Sequence, residues 1–336
     1  MRRAHATAHS NIALVKYWGK REGSEPDLNL PAVGSLSMTL ERLRTETTVE
    51  PSASNHDVFV LDGLSREGDD ARKVSRHLDR VWHESPPGRR GLARPATLVT
   101  STNHLPTAAG LASSASGFAA LTLAAAAAFD WEAPRSALSS LARRGSGSAA
   151  RSLWGGFVRL ERGDAPDGSD CRAYPLHDAA HWDVKLLVVH TAKGPKPVGS
   201  TGGMERCRLT SPYFPAWVAS SEADLAEAQS ALAARALPRL GEIVEHSCFK
   251  MHASMFATRP PLVYWNAGTL SVIDAVWRAR AEGLAGWVTS DAGPHVKVLC
   301  AAPDADALAT RLHGVAGVVH IDVLGVGPDP RVEVSP

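Results

Sequence analysis

The chain has 336 residues, 44% of them apolar and 21% charged, the proportions of a folded globular protein with room for one large domain or two moderate ones. A formal net charge of +1 argues against nucleic acid or an anionic membrane as a partner, so any anion must be gripped locally. Cys171, Cys207, Cys248 and Cys300 lie far apart without CxxC spacing, which argues against a zinc site or a disulfide framework. With no apolar segment behind the basic Met1-Arg2-Arg3 start and no apolar run long enough for a bilayer, a cytoplasmic chain is expected.

In chain order, the first part reads as strand-rich. Residues 45–50 alternate around Val49, and 58–61 form a short apolar strand before an Asp62-Gly63 turn. Val74, Leu78, Val81 and Trp82 give 72–82 a helical spacing that Pro86-Pro87-Gly88 ends. Residues 96–101 form a strand leading into a small-residue loop. Alanine-rich 118–129 is a helix, because alanine loses no side-chain entropy there. A second helix starts at Pro134 and runs to about Arg144. Gly145-Ser146-Gly147-Ser148 interrupts it, and 157–161 is a strand behind Gly155-Gly156. The nearly continuous apolar run 184–190 reads as a buried strand. Helices are expected at 222–237, 240–256 and 269–282. Residues 286–290 come next, then a turn at Asp291-Ala292-Gly293-Pro294 and a strand at 296–301; a helix at 304–312 and a last strand at 318–323 follow. This alternation argues for a mixed α/β chain of two lobes, 1–185 and 186–336.

The loop Pro106-Thr107-Ala108-Ala109-Gly110-Leu111-Ala112-Ser113-Ser114 precedes the alanine helix, where unpaired N–H groups and the positive dipole end suit a phosphate. It is not a Walker A loop, since no Gly-Lys-Ser/Thr follows, and a bare Ser-Ser there would be only a helix cap. Lys16, Lys20 and Arg21 beside Tyr17 are a second candidate for gripping phosphate, although solvated lysines on an edge strand would look the same. The HxxxH pairs His5/His9 and His177/His181 lack a third ligand, so zinc is not expected. Alone, Arg151 reads as a surface arginine and Asp291 as a turn former.

The loop string resembles the phosphate loop of the GHMP kinase superfamily. Asn11-Ile12-Ala13, Lys16-Tyr17-Trp18-Gly19-Lys20-Arg21 and Ser35-Leu36-Ser37-Met38-Thr39-Leu40 narrow this, because they resemble the opening of the diphosphomevalonate decarboxylases. Gly145-Ser146-Gly147-Ser148-Ala149-Ala150-Arg151-Ser152 is similar to a later motif of that family. So are Gly194-Pro195-Lys196-Pro197-Val198 with Met204, and Asp291-Ala292-Gly293-Pro294, all in the family's order.

The resemblance implies an α+β, two-lobe GHMP kinase fold, its N-terminal lobe like domain 2 of ribosomal protein S5 and its C-terminal lobe ferredoxin-like. It implies ATP and Mg²⁺, and conversion of mevalonate 5-diphosphate to isopentenyl diphosphate, ADP, phosphate and CO₂. It further implies a cytoplasmic homodimer in isoprenoid and sterol biosynthesis. Asp291 becomes the group that meets the 3-hydroxyl, Lys20 its cationic partner, and Arg151 the fork that holds the substrate carboxylate. Asn11, Tyr17, Lys20, Arg151, Ser200 and Thr201 would bind substrate. Asn103, Gly110, Leu111, Ala112, Ser113 and Ser114 would bind ATP, with Ser114 also on Mg²⁺. Two departures stand out: Gly199 replaces a hydroxyl residue, and His295 replaces an asparagine after the aspartate turn. Gly199 leaves mevalonate 5-phosphate open as the substrate. A mevalonate 3-kinase and a non-catalytic nucleotide-binding protein are the other readings; the joint presence of Asp291, Arg151 and Lys20 favours the decarboxylase.

Overall fold

A computed structural model of the chain describes residues 1–85, 91–104, 113–192, 194 and 198–335. Strand β1 (Arg3–Val15) alternates buried Ala4, Ala6 and Ala8 with polar residues and pairs antiparallel with β2 (Ser35–Pro51). The hairpin β3 (Val58–Leu61) and β4 (Leu64–Arg66) leads to α1 (Gly68–Glu84). Strand β5 (Thr97–His104) then pairs antiparallel with β2 and parallel with β3. Helix α2 (Ser113–Ala128) crosses this sheet and is buried almost all round. Its alanines are small enough to fit between the sheet and α3 (Arg135–Gly145), which packing density in a protein interior demands. A 3-10 segment, Gly147–Leu153, precedes β6 (Phe157–Leu160) and β7 (Ala173–His177), which extend the sheet from β2.

Strand β8 (Val184–His190) opens a second sheet. Helices α4 (Ser200–Thr210), α5 (Phe214–Ala233), α6 (Leu237–Phe256) and α7 (Ala267–Ala281) follow. Strands β9 (Trp287–Ser290) and β10 (Val296–Ala301), helix α8 (Ala305–His313) and strand β11 (His320–Leu324) complete it in the antiparallel order β11-β8-β10-β9. Along β8, Leu186 and Val188 join a core with α5 and α6, while Leu187 and Val189 join one with α7 and α8. Burial on both faces is why that strand reads as a continuous apolar run. The first of these cores also takes Ile12, Leu14, Leu36 and Met38 from β1 and β2, so one apolar body ties the two sheets together.

Several local expectations change. Residues 318–323 are not the last strand: β12 (Arg331–Ser335) returns to the first sheet and pairs with β1. The stretch Ser200-Thr201-Gly202-Gly203-Met204, for which no helix is expected, is the first turn and a half of α4. Tertiary packing overrides the poor helix propensity of its glycines, since Met204 and Cys207 bury against Trp18, Trp217 and Met251. Helix α5 begins at Phe214 rather than at 222, with Pro215 in its first turn, where the missing N–H is harmless.

Candidate active site

A cleft of about 510 Å³ lies where the two sheets meet. Among the described residues its walls carry Lys20, Lys73, Arg80, Arg144, Arg151 and Lys297 against Asp27 and Asp291, so it is built for an anion although the whole chain is near neutral. Asp291 and Ser114, more than a hundred residues apart, both line it.

Asp291 follows the last residue of β9. Its Oδ1 accepts from Lys16 Nζ at 2.7 Å and its Oδ2 pairs with Lys297 Nζ at 3.0 Å. Both lysine side chains are almost fully buried (1% and 4% exposed), whereas the carboxylate keeps 40% of its surface, turned to the cleft. Burial works to raise the Asp291 pKa, but the two ammonium groups outweigh it and hold the carboxyl well below the usual carboxylate range. Lys16 Nζ also donates to the Ala13 carbonyl at 2.9 Å, which fixes its reach. Lys20 is therefore not the partner of Asp291: Lys16 and Lys297 are. Lys16 was legible only as a phosphate ligand. Lys297 was missed, although a lysine between buried Val296 and Val298 in a strand is itself a signal, because a cation there must have a counter-ion.

Arg151 sits in the 3-10 segment, 2% exposed, so it is not a surface residue. Its Nε and Nη2 donate to Asn11 Oδ1 at 3.2 and 3.1 Å, and Nη1 donates to Ser35 Oγ at 2.7 Å. Asn11 is held in turn by the Ser148 carbonyl and Ser152 Oγ, so its carbonyl oxygen is aimed at the guanidinium. Among the described residues no carboxylate pairs with Arg151. Burial lowers its pKa to about 10, with Tyr17 and Asp291 opposing that shift.

Lys20 Nζ donates to Tyr17 Oη at 2.8 Å and to Asn29 Oδ1, which uses two of its three donors. Arg21, read as a phosphate ligand, instead donates to the carbonyls of Arg162, Gly163 and Ala165 and ties that loop down. The glycines of Gly145-Ser146-Gly147-Ser148 are there for close approach. A Cβ at Gly147 would lie 2.0 Å from Tyr17 Oη, and one at Gly145 2.2 Å from the Phe118 ring. Ser146 Oγ lies 3.2 Å from Ser114 Oγ, which joins this motif to the start of α2. Ser200 and Thr201, in the first turn of α4, line the same cleft. His295 also lines it and accepts the Thr191 N–H at Nδ1, 3.3 Å away.

A second cavity of about 260 Å³ shares Lys73, Ser114 and Phe118 with the cleft and is lined by Ser113 and Asn103 among apolar residues such as Phe59, Leu61, Val74 and Leu121. Asn103 accepts from Thr45 Oγ1 at 2.9 Å and donates to Asp62. Gly110, Leu111 and Ala112 of the expected phosphate loop, and Pro195, Lys196 and Pro197 of the mid-chain motif, lie outside the described residues.

This two-sheet α+β architecture with an anion-binding cleft at its joint is a GHMP kinase fold, the fold of its solved neighbours. Residues 8–173 match the diphosphomevalonate decarboxylase-like N-terminal domain, and residues 185–321 match the mevalonate 5-diphosphate decarboxylase C-terminal domain. The chain belongs to the diphosphomevalonate decarboxylase family. The Candida albicans diphosphomevalonate decarboxylase is 34% identical, over 98% of this chain and 97% of that protein. The structure of MDDEF in complex with MVAPP, AMPPCP and magnesium is 36% identical with a TM-score of 0.89, over 99% of both chains. The Staphylococcus aureus mevalonate diphosphate decarboxylase structure is 34% identical with a TM-score of 0.89, over 99% of this chain and 98% of that one.

Proposed function

We propose that the chain catalyses the ATP-dependent decarboxylation of mevalonate 5-diphosphate to isopentenyl diphosphate, ADP, phosphate and CO₂, a step of isoprenoid biosynthesis. The observation that carries this is the carboxylate of Asp291, clamped by Lys16 and Lys297, on the wall of one cleft with buried, carboxylate-free Arg151 and with Ser114. Hydroxide is a poor leaving group, so the tertiary 3-hydroxyl is first phosphorylated. Its oxygen bonds to the terminal phosphorus, ADP departs with the old bond's electrons, and the hydroxyl proton goes to Asp291. A carboxylate this weakly basic orients the hydroxyl and receives the proton as the new O–P bond forms. The C3–O bond then breaks with phosphate taking the pair. The C1–C2 pair moves to form the C2–C3 alkene, and CO₂ leaves.

Arg151 holds the C1 carboxylate bidentately and so aligns that bond for elimination. Lys20 offers its third donor, with Tyr17, Ser200 and Thr201, to the diphosphate tail. The second cavity takes the nucleoside end of ATP against Asn103, with the phosphates at Ser113 and Ser114. Magnesium would be held at the Ser114 hydroxyl and would neutralise negative charge on the nucleotide phosphates. The Ser114 hydroxyl fits it, being an oxygen donor beside the phosphate position for a cation that keeps few protein ligands. Arg144 and Arg80 add positive potential at the same end.

The test is to supply ATP with mevalonate, its 5-phosphate or its 5-diphosphate and to measure CO₂ and phosphate. CO₂ from the diphosphate alone is expected. CO₂ from the monophosphate would reassign the substrate, the outcome Gly199 leaves open, and phosphorylation without CO₂ would make the protein a 3-kinase. We further infer a cytoplasmic homodimer that also serves sterol synthesis. The four buried free cysteines support a reducing compartment, and light scattering tests the dimer.

A further inference from the structure

We propose that one face of α6 acts as a side-chain partner for the open edge of β9, and that the Cys248 thiol on that face is a positioning residue for Asp291. The inference rests on the reading of Asp291 as the group that meets the substrate hydroxyl. Strand β9 is an edge strand: β10 pairs with one side of it, and α6 packs along the other. Edge backbone groups left unpaired in a buried place are costly, and here side chains take them up. Val288 N–H donates to Glu245 Oε2 at 3.0 Å. Ser290 N–H donates to Cys248 Sγ at 3.0 Å, and the thiol faces the Ser290 carbonyl at 3.5 Å. His252 Nε2 lies 3.3 Å from the same carbonyl and 3.2 Å from the Trp265 indole nitrogen, and its neutral ring donates to the one or accepts from the other.

Glu245, Cys248 and His252 are spaced i, i+3, i+7, which places them on one face of the helix. Outward backbone groups on a strand repeat about every 6.6 Å, and a helix repeats every ~5.4 Å. The two rows stay in step over a four-residue strand and would drift apart on a long one. Ser247, the residue before Cys248 in the same turn, accepts the Lys16 N–H at 3.0 Å. A single turn of α6 therefore grips the backbones on both sides of the Lys16–Asp291 pair. Glu245 is already tied to Trp277 and Arg280, so the contacts nearest Asp291 along the chain are those on Ser290, where Cys248 meets both the N–H and the carbonyl and His252 only the carbonyl. Burial raises the thiol pKa, so Cys248 keeps its proton and can both donate and accept.

The test compares Cys248→Ala with Cys248→Ser, side chains of near-equal size that differ in one hydroxyl. The readouts are kcat, KM for mevalonate 5-diphosphate, melting temperature, and amide hydrogen exchange of the segment 287–291. Loss of the contact should lower kcat about 10- to 100-fold in the alanine variant, the scale of a misplacement of about 1 Å, with KM within twofold. Serine should restore most of kcat and slow exchange at 287–291 relative to alanine, while the two melting temperatures agree. Equal kcat in the two variants, or a loss carried by KM, would overturn the proposal. Should alanine not fold, Cys248→Val against Cys248→Thr makes the same comparison without a cavity. Asp291→Asn is assayed in parallel. Wild-type turnover in that variant removes the reading of Asp291 itself, and with it the inference. An inactive Asp291→Asn beside fully active Cys248 variants removes the positioning role alone.

Discussion

At one place in the cleft a carboxylate meets two buried ammonium groups; at another a buried guanidinium donates, among the described residues, to neutral oxygens and lies over the Tyr17 ring. Asp291 is charge-compensated before any substrate arrives, held by Lys16 and Lys297. Arg151 is not, since Asn11 and Ser35 give it hydrogen bonds but no negative charge. An ion pair in a buried place is costly to break, whereas a buried charge without a partner burdens the fold until something pairs with it. Under the proposed function the first arrangement is a fixed tool, and the second is a receptor whose missing partner would be the substrate carboxylate. The two should therefore respond in opposite senses when each is neutralised.

The largest effect is expected at Asp291. Asp291→Asn should reduce turnover by roughly 10²- to 10⁴-fold, the range for a positioned acid–base group, with substrate affinity within a few-fold of wild type. It should also lower the melting temperature, because Lys16 and Lys297 lose their counter-ion. Arg151→Met comes next. Steady-state kinetics should show kcat/KM reduced by the ~2–5 kcal/mol of a buried charged hydrogen bond, yet the ligand-free protein should melt higher than wild type. If both variants melt lower, the contrast between the two centres is broken. Gly147→Ala is smaller and local. Its methyl would displace Tyr17 and with it Lys20, which should raise KM for substrate about tenfold, a loss of ~1.4 kcal/mol, at near-constant kcat.

The smallest effect concerns acid stability. His77 is buried, donates to Thr122 Oγ1 at 2.8 Å, and has its pKa pushed down to about 3, first by burial and then by Arg80 and Arg144. The folded chain refuses a proton that the unfolded chain accepts. The stability it confers is full above pH 6.5 and is lost as pH falls through that value toward 3. Urea melts at pH 7.5 and pH 5 should show a shallower pH dependence in His77→Gln than in wild type. Between pH 5 and 7.5 Asp291 is ionised in the folded chain and in the unfolded one, so its ion pairs add little to that slope.

Much of this was legible in the sequence where physics is local. The runs at 184–190 and 296–301 match β8 and β10, because burial on both faces leaves an apolar record broken only by Lys185, His190 and Lys297. β1 is harder to read: its buried positions are Ala4, Ala6 and Ala8, which carry the period-two signal with the smallest apolar side chain. α4 could not be read, since what holds it helical is the packing of Met204 and Cys207 against Trp18, Trp217 and Met251, distant in sequence. At the site, Asp291, Arg151, Tyr17 and Ser114 stood out through resemblance, and the structure brings them to one cleft. The exchange of roles between Lys16 and Lys20 did not stand out. Both lie in one short cationic string, and only the path of the chain after β1 decides which turns inward.

The most direct measurement is a single-turnover reaction of Asp291→Asn with ATP and mevalonate 5-diphosphate, following ADP and CO₂ together with substrate affinity. Substrate should bind almost as it does to the unaltered protein, and neither product should form in the time of a wild-type turnover. An ADP burst and CO₂ release at the wild-type rate would contradict the account.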